Sequence, residues 1–208
     1  MKYIKKGNEP EEFTQWKEAQ RESGVNCDYK SLQNPQKGLL HAALLSEQGY
    51  ICCYCCQRVD STTSYLEHLE PQSETDPDLA LDYTNLLASC GRDPNWLNRC
   101  GKKKGNRHIS VSPLMVNCEA FFRYSGDGEM LPTEESEKTE AVATTIDIFG
   151  LNDYDLRQAR MEAIDIWIGI TETEAQLVDR DFQQRDDDGK YQPFCPAVLY
   201  YLQEYYGV

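Results

Sequence analysis

Hydrophobic positions recur at helical spacing near the start of the chain. Residues 9–23 place Phe13 and Trp16 on one face and two glutamates in the first turn, which predicts an amphipathic helix. Residues 38–49 show a second helical pattern, and Gly49 is the expected end of that helix. The residues of the second helix that we predict to face inward are Leu39, Leu40, Ala43 and Leu44.

The helical period returns in the C-terminal half of the chain. Residues 134–149 predict a helix that stops at Gly150, because glycine favours the left-handed conformation that ends many helices. Residues 153–182 keep the pattern for several turns and predict a long helix. After the charged turn DDDGKYQPF, Pro196 opens a last helix. The apolar face predicted for 134–149 consists of Val142, Thr145, Ile146 and Phe149.

The region between these helices differs from them. Residues 65–69 form a short strand-like run that Pro71 ends, and six of the nine cysteines lie between 50 and 110. The pattern therefore predicts an α+β protein, in which a mostly helical body carries a small, metal-stapled β module. The three predicted parts, which we expect to pack as one unit, are 1–49, 50–112 and 113–208.

Composition and charge restrict what such a protein can do. With 208 residues, 40% hydrophobic and 27% charged, the chain has the composition of a globular protein. It has no run of about 18 apolar residues and no apolar stretch after its first lysines, so we expect a cytoplasmic protein with reduced thiols and no membrane segment. The net charge of −14 predicts weak binding of nucleic acid by the chain alone. A polyanion would need a local basic patch or a basic partner.

The clustered cysteines predict a structural metal site. The stretch YICCYCCQRV contains two overlapping CxxC pairs, Cys52/Cys55 and Cys53/Cys56. Cys90 and Cys100 supply a second pair, which a turn at 93–94 would close. We predict a closed zinc site of four thiolates, with the other CxxC frame and an iron–sulfur cluster as alternatives. The predicted zinc ligands are Cys52, Cys55, Cys90 and Cys100.

The stretch SYLEHLEPQS places one of only three histidines, His68, at the end of the predicted strand. Taken alone, such an imidazole is as well explained by packing or by contact with water. However, His68 and Asn85 both fall between the two halves of the cysteine site. A small β module held by a metal keeps such polar groups rigid, which makes them candidates for chemistry. We expect His41, in the second helix, to be a surface or core-edge residue.

Taken together, these motifs resemble those of HNH nucleases, which have the ββα-metal fold. Within that family the chain looks most like the PtuB-type HNH subunits of Septu and retron-linked antiphage systems. The similarity extends to YCCQRV, IFGLND and YQPF and covers most of the chain. The motifs that carry it, in order, are the CxxC pair at 52–55, LEHLEP at 66–71, DYTNLLASC at 82–90 and CGKKKGN at 100–106.

The resemblance implies a hydrolytic mechanism for phosphodiester bonds. His68 would be the general base that deprotonates water, and Asn85 would hold its loop and the imidazole in place. A catalytic Mg²⁺ (or Mn²⁺) would take oxygen ligands, here Glu67 and Asn106. The chain departs from many relatives at two positions. Glu67 replaces an aspartate, and Gly101 replaces a metal-binding histidine, so Asn106, with His108 behind it, is the replacement ligand.

Four cations follow the last cysteine of the motif in an otherwise acidic chain. A solvated basic turn would explain them, but beside a catalytic metal we predict that they contact nucleic-acid phosphates. These residues are Lys102, Lys103, Lys104 and Arg107.

The resemblance also implies partners. Septu-like nucleases work with an ABC-type ATPase of the PtuA type, and in some systems a retron reverse transcriptase and its small DNA join them. An acidic subunit is expected to need a basic partner protein in order to bind the phosphates of nucleic acid. The target, DNA or an RNA such as tRNA, stays open. The alternative from another class is a non-catalytic zinc-ribbon adaptor that docks proteins, with His68 inert.

Overall fold

Helices from both ends of the chain surround two small antiparallel sheets. The computed structural model describes residues 1–24, 27–72, 77–92, 98–134 and 138–208. The helices are α1 (Glu11–Glu22), α2 (Gln36–Glu47), α3 (Pro77–Ala80), α4 (Cys100–Lys104), α5 (Thr139–Phe149), α6 (Tyr154–Asp165), α7 (Glu172–Gln183) and α8 (Cys195–Tyr206), with short 3₁₀ turns at Tyr83–Asn85 and Cys118–Phe121. The strands are β1 (Ser64–His68), β2 (Leu86–Cys90), β3 (Phe122–Tyr124) and β4 (Met130–Pro132).

The two predicted N-terminal helices form, but the second faces the core differently from the prediction. Phe13 of α1 is buried as its spacing indicates. In α2 the inward stripe consists of Leu40, His41, Leu44 and Leu45. The prediction for Leu39 is wrong, because its side chain is 46% exposed. Each helical residue turns the side chain by about 100°, so the stripe that includes residue 41 leaves residue 39 facing the solvent.

Strands β1 and β2 and helix α4 form the ββα unit around which the chemistry is arranged. The strands pair antiparallel, with Glu67 opposite Leu87 and His68 opposite Leu86. Every residue of β2 is buried, since α2 and α4 both pack on that strand. A two-stranded sheet has marginal stability by itself, and packing against the two helices makes this sheet part of the core.

The C-terminal helices confirm one prediction and correct another. The four predicted apolar residues of α5 are buried, and Gly150 ends the helix with φ +63°. The long helix predicted for 153–182 is instead two helices, α6 and α7. Between them Gly169 has φ +79°, and Thr171 and Glu174 form a capping box. That Thr-x-x-Glu signature starts a new helix, and it outweighs the continuing apolar period.

One hydrophobic core joins segments from all three predicted parts of the chain. Its largest cluster contains Phe13 and Leu44 from the N-terminal helices, Leu87 from β2 and Phe149 from α5. The Tyr54 ring stacks on Phe149 with centroids 3.8 Å apart. The α+β fold class is confirmed, while the division of the chain at 49 and 112 stays a prediction.

Within the described ranges, no helix combines the length and apolar character needed to cross a membrane.

Candidate metal centre and active site

The four predicted zinc ligands come together inside the ββα unit. Their sulfur atoms all lie within 4.8 Å of one another, and all four side chains are buried. Cys55 Sγ and Cys90 Sγ are 3.8 Å apart. A tetrahedral zinc ion with Zn–S bonds of about 2.3 Å separates its sulfur ligands by about 3.8 Å. The cluster therefore has the donors and the spacing for one structural metal such as zinc.

The fold also distinguishes between the two CxxC frames. Cys56 packs with Ile51 and Cys195 rather than with the cluster. Burial by itself raises the pKa of the Cys52 thiol, but hydrogen bonds from neighbouring cysteines hold that pKa well below its usual value. The Cys90 backbone N–H also donates to Cys52 Sγ (3.4 Å). The sulfur atoms of Cys52 and Cys55, rather than those of Cys53 and Cys56, belong to the group of four within 4.8 Å, so the geometry favours the first frame. The predicted turn at 93–94 lies outside the described residues.

His68 ends β1 with its ring half-buried. Its Nε2 lies 3.0 Å from the Ala80 carbonyl oxygen. A carbonyl only accepts, so Nε2 carries the proton and the neutral ring keeps its lone pair on Nδ1. Burial lowers the pKa of His68; the bond to Ala80 opposes this shift, and the charges of Lys104 and Lys37 add to it. The ring is therefore in its basic, neutral form at neutral pH.

Asn85 ties together the two segments that flank the imidazole. Its Oδ1 accepts from the Glu70 backbone N–H (2.8 Å), and its Nδ2 donates to the Leu79 carbonyl (3.1 Å). Leu79 is next to Ala80, the residue that accepts from His68. Because Asn85 is buried at the junction with β2, these bonds hold the loop and the ring's partner in one arrangement.

A cleft of about 370 Å³ opens beside the imidazole. We call it the His68 cleft and define it by Tyr29, Tyr65, His68, Gly101, Lys102 and Asn106. It brings together three of the predicted catalytic side chains, His68, Glu67 and Asn106, whereas Asn85 lies buried outside its lining. Asn106 follows the end of α4 and is exposed at the cleft.

Glu67 and Lys104 form a buried ion pair on the floor of this cleft. Lys104 Nζ lies 3.3 Å from Glu67 Oε1 and donates to the His68 carbonyl oxygen (2.8 Å), with its side chain 1% exposed. The Tyr54 hydroxyl also donates to Glu67 Oε1 (3.2 Å). Burial raises the pKa of Glu67, and the Lys104 charge opposes that shift. Lys104 is thus held internally by Glu67, and its contact with nucleic-acid phosphate stays a prediction.

The same pair explains the glycine at position 101. A Cβ atom there would collide with the Glu67 carboxylate and the Tyr65 hydroxyl. The Glu67 carboxylate therefore fills the space that any larger side chain at position 101 would need. A carboxylate already bound by an ammonium and a phenol does not fit as a ligand of Mg²⁺, which takes exposed oxygen ligands and keeps several waters. Among the residues the structure describes, only the cysteine cluster groups three or more His, Cys, Asp or Glu ligands.

We expect the Glu67→Gln substitution to reduce stability strongly, because it leaves the Lys104 ammonium buried without a counter-charge. Removing one partner of a buried pair typically costs about 3–5 kcal/mol of unfolding free energy. Urea denaturation measures this quantity. The matched control is Glu70→Gln, since Glu70 pairs with His108 at the surface (2.9 Å) and such pairs contribute about 0–1 kcal/mol.

The double variant Glu67→Gln/Lys104→Met removes both charges and should recover part of the lost stability. An unchanged urea midpoint for Glu67→Gln would contradict the assignment of the ion pair.

The other predicted phosphate contacts differ in whether their side chains are free to bind a phosphate or already bound within the protein. Lys102 and Lys103 are exposed, and Lys102 Nζ lies 4.6 Å from the centre of the Tyr65 ring. Arg107 instead donates to the carbonyl oxygens of Lys103, Lys104 and Ile148, at the C-terminal ends of two helices. Its contacts are those of a helix cap.

Sequence reasoning overlooked residues outside the ββα unit that line a second cleft beside the His68 cleft. His41 Nε2 lies 2.9 Å from Ser64 Oγ and is buried, so the expected core-edge position is only partly right. Lys37 and Arg92 line a second cleft that adjoins the first. They belong to no local motif, and only the fold brings them near one another.

No family model matches the chain. A retron Vc95 putative HNH endonuclease of Vibrio cholerae serotype O1 biovar El Tor is 28% identical over 147 residues, which cover 69% of this chain and 70% of that protein. The Septu protein PtuB of Bacillus thuringiensis is 30% identical over 128 residues, which cover 57% of this chain and 43% of that protein. These similarities confirm the resemblance carried by the motifs: the chain is similar to a putative HNH endonuclease of a retron and to a Septu protein.

Proposed function

We propose that the chain is an HNH endonuclease that hydrolyses nucleic-acid phosphodiester bonds as the effector of an antiphage defence complex. The observation that carries the proposal is the arrangement of His68. Its Nε2 is fixed on Ala80, its Nδ1 keeps a lone pair, and its ring lines the cleft beside the ββα unit. The similarity to HNH proteins of defence systems supports the same function.

His68 acts as the general base. As a water oxygen attacks phosphorus, one proton of that water passes to His68 Nδ1. The bond between phosphorus and the 3′ oxygen breaks, and the leaving oxygen takes a proton from solvent. The products are a 5′-phosphate and a 3′-hydroxyl. A positioned general base contributes about 10²–10⁴ in rate.

Zinc has a structural role in this proposal. Cys52, Cys55, Cys90 and Cys100 would hold the ion, and four thiolate ligands would leave no position for water or substrate. Zinc bound there would fix β2 and α4 relative to each other, and activation of the attacking water depends on His68. A catalytic Mg²⁺ or Mn²⁺, when bound, would supply positive charge beside the phosphate. Asn106 remains the predicted protein ligand of that ion, and Glu67 is assigned to the pair with Lys104.

The partner in this proposal is a PtuA-like ABC-type ATPase, joined in retron systems by a reverse transcriptase and its small nucleic acid, in the reducing cytoplasm. The net charge of −14 supports such an assembly, because an acidic subunit repels phosphate at long range.

We expect the isolated chain to cleave nucleic acid poorly and the native complex to cleave it well. The test is to copurify the complex through a tag on this chain and to incubate both preparations with DNA and RNA. Sequencing the cut ends then identifies the target. Strong, salt-sensitive binding by the chain alone would contradict the charge argument. A complex that cleaves nothing would leave the adaptor as the better function.

A further inference from the structure

A second cleft of about 690 Å³ adjoins the His68 cleft. We call it the basic cleft and define it by Tyr29, Lys37, Gly38, Tyr65, Arg92 and Lys102. Tyr29, Tyr65 and Lys102 also line the His68 cleft, so the two are continuous. The Tyr29 ring contacts the His68 ring edge-on, with centroids 4.5 Å apart. Tyr29 therefore lies between the basic cleft and the His68 ring.

The charge of the basic cleft is opposite to that of the whole chain. Its lining contains Lys37, Arg92 and Lys102, and no aspartate or glutamate is among the described residues that form it. Lys37 Nζ lies 5.0 Å from the centre of the Tyr29 ring, and Lys102 Nζ lies 4.6 Å from that of Tyr65. A chain with 35 acidic residues and 21 basic residues has here the local basic patch that a polyanion requires.

Cations combined with aromatic faces are the residue types that hold a nucleic-acid strand. Lysine and arginine contact the phosphates, and tyrosine rings stack on the bases without regard to sequence. Arg92 Nη1 donates to the Ser61 carbonyl (2.9 Å), which orients an otherwise exposed guanidinium at the cleft. A small anion would need one focused pocket, whereas these cations are spread along an open groove that leads to the candidate base.

We infer that the basic cleft binds the substrate strand next to the phosphate that is cut, through Lys37 and Arg92 in addition to Lys102. This inference rests on the proposed nuclease function and deepens it. Lys37 belongs to α2 and Arg92 to the segment after β2, so the substrate surface extends beyond the ββα unit. The shared ligand chemistry is the sugar–phosphate backbone of DNA or RNA.

Gly38 provides a sensitive place to test the cleft. A Cβ atom there would meet only Asn34 Oδ1, at 3.3 Å, so a longer side chain can enter the cleft from α2. Gly38→Glu would add a carboxylate to the phosphate path, and Gly38→Gln would add a side chain of the same shape without charge. Both replacements favour the helix over glycine, so a loss of fold is not expected.

The experiment uses the copurified complex and short fluorescein-labelled DNA and RNA oligonucleotides, single- and double-stranded. Gly38→Glu should raise KM about tenfold relative to Gly38→Gln and change kcat by less than about twofold. Anisotropy measured in a His68→Gln background gives binding without cleavage. Lys37→Ala and Arg92→Ala should each reduce the slope of log affinity against log salt by about 1. Lys190→Ala, which lies outside both clefts, should leave the slope unchanged.

The oligonucleotide arms show whether DNA or RNA occupies the cleft. Equal KM for Gly38→Glu and Gly38→Gln, with unchanged salt slopes for Lys37→Ala and Arg92→Ala, would overturn the inference while the nuclease function stands. If the wild-type complex cleaves none of the substrates, the proposed function fails, and the anisotropy series still decides whether the cleft binds nucleic acid.

Discussion

The His68→Ala variant is expected to cleave nucleic acid about 10²–10⁴-fold more slowly than the wild-type protein within the same complex. The substitution removes the imidazole whose Nδ1 lone pair can take a proton from the attacking water. A zinc ion bound by the four cysteines would not replace it, because four thiolates would leave no coordination position for water. The measurement is the cleavage rate of the copurified complex at several Mg²⁺ concentrations.

The control for this variant is His68→Gln. A glutamine amide can still donate to the Ala80 carbonyl, as His68 Nε2 does, but it has no basic nitrogen. Both variants should keep the wild-type zinc content, melting temperature and partner binding. If His68→Gln is inactive and folded, the lost activity is that of the base. Near wild-type cleavage by either variant would make His68 a packing residue and favour the adaptor function.

The second large effect is expected at the cysteine cluster. We expect one zinc per chain, and replacing any one cluster cysteine with serine should unfold the ββα unit rather than lower activity alone. Structural zinc sites contribute apparent binding free energies of about 10–16 kcal/mol, and the site forms only in the folded state. Elemental analysis and thermal denaturation with and without a chelator measure both consequences. The four substitutions are Cys52→Ser, Cys55→Ser, Cys90→Ser and Cys100→Ser.

Cysteines outside the cluster provide the controls. Cys53→Ser and Cys56→Ser should keep the zinc, although burial of these side chains allows some loss of stability. If they lose zinc while Cys52→Ser and Cys55→Ser retain it, the assigned frame is wrong. Iron with sulfide in the purified protein would instead identify an iron–sulfur cluster.

Local patterns predicted those parts of the structure that depend on local physics. The apolar stripe and Gly150 specify α5, because period and capping act within a few residues. The cysteine set was also predictable, since CxxC spacing is itself the geometry of a metal knuckle. Strand β1 and the position of His68 at its end followed from the run that Pro71 interrupts.

Features that depend on contacts distant in sequence were not predictable. Lys104 looked like one of a row of surface cations, yet its partner Glu67 is 37 residues away and draws it into the core. The basic cleft joins Lys37 to Arg92 only through the packing of α2 against β2. The break between α6 and α7 is a different case, because Thr171 and Glu174 carried a local signal that the longer apolar period obscured.

The Glu67–Lys104 pair beneath Gly101 makes three positions interdependent during evolution. A larger side chain at position 101 needs a shorter residue 67 and a displaced Tyr65 hydroxyl, since both groups occupy that space. Shortening residue 67 to aspartate alone draws the carboxylate back from the Lys104 ammonium, which weakens a buried ion pair. The effects of these substitutions are therefore strongly non-additive. A larger side chain at position 101 is therefore expected to be tolerated only when positions 67 and 104 change with it, and single replacements should give less stable proteins.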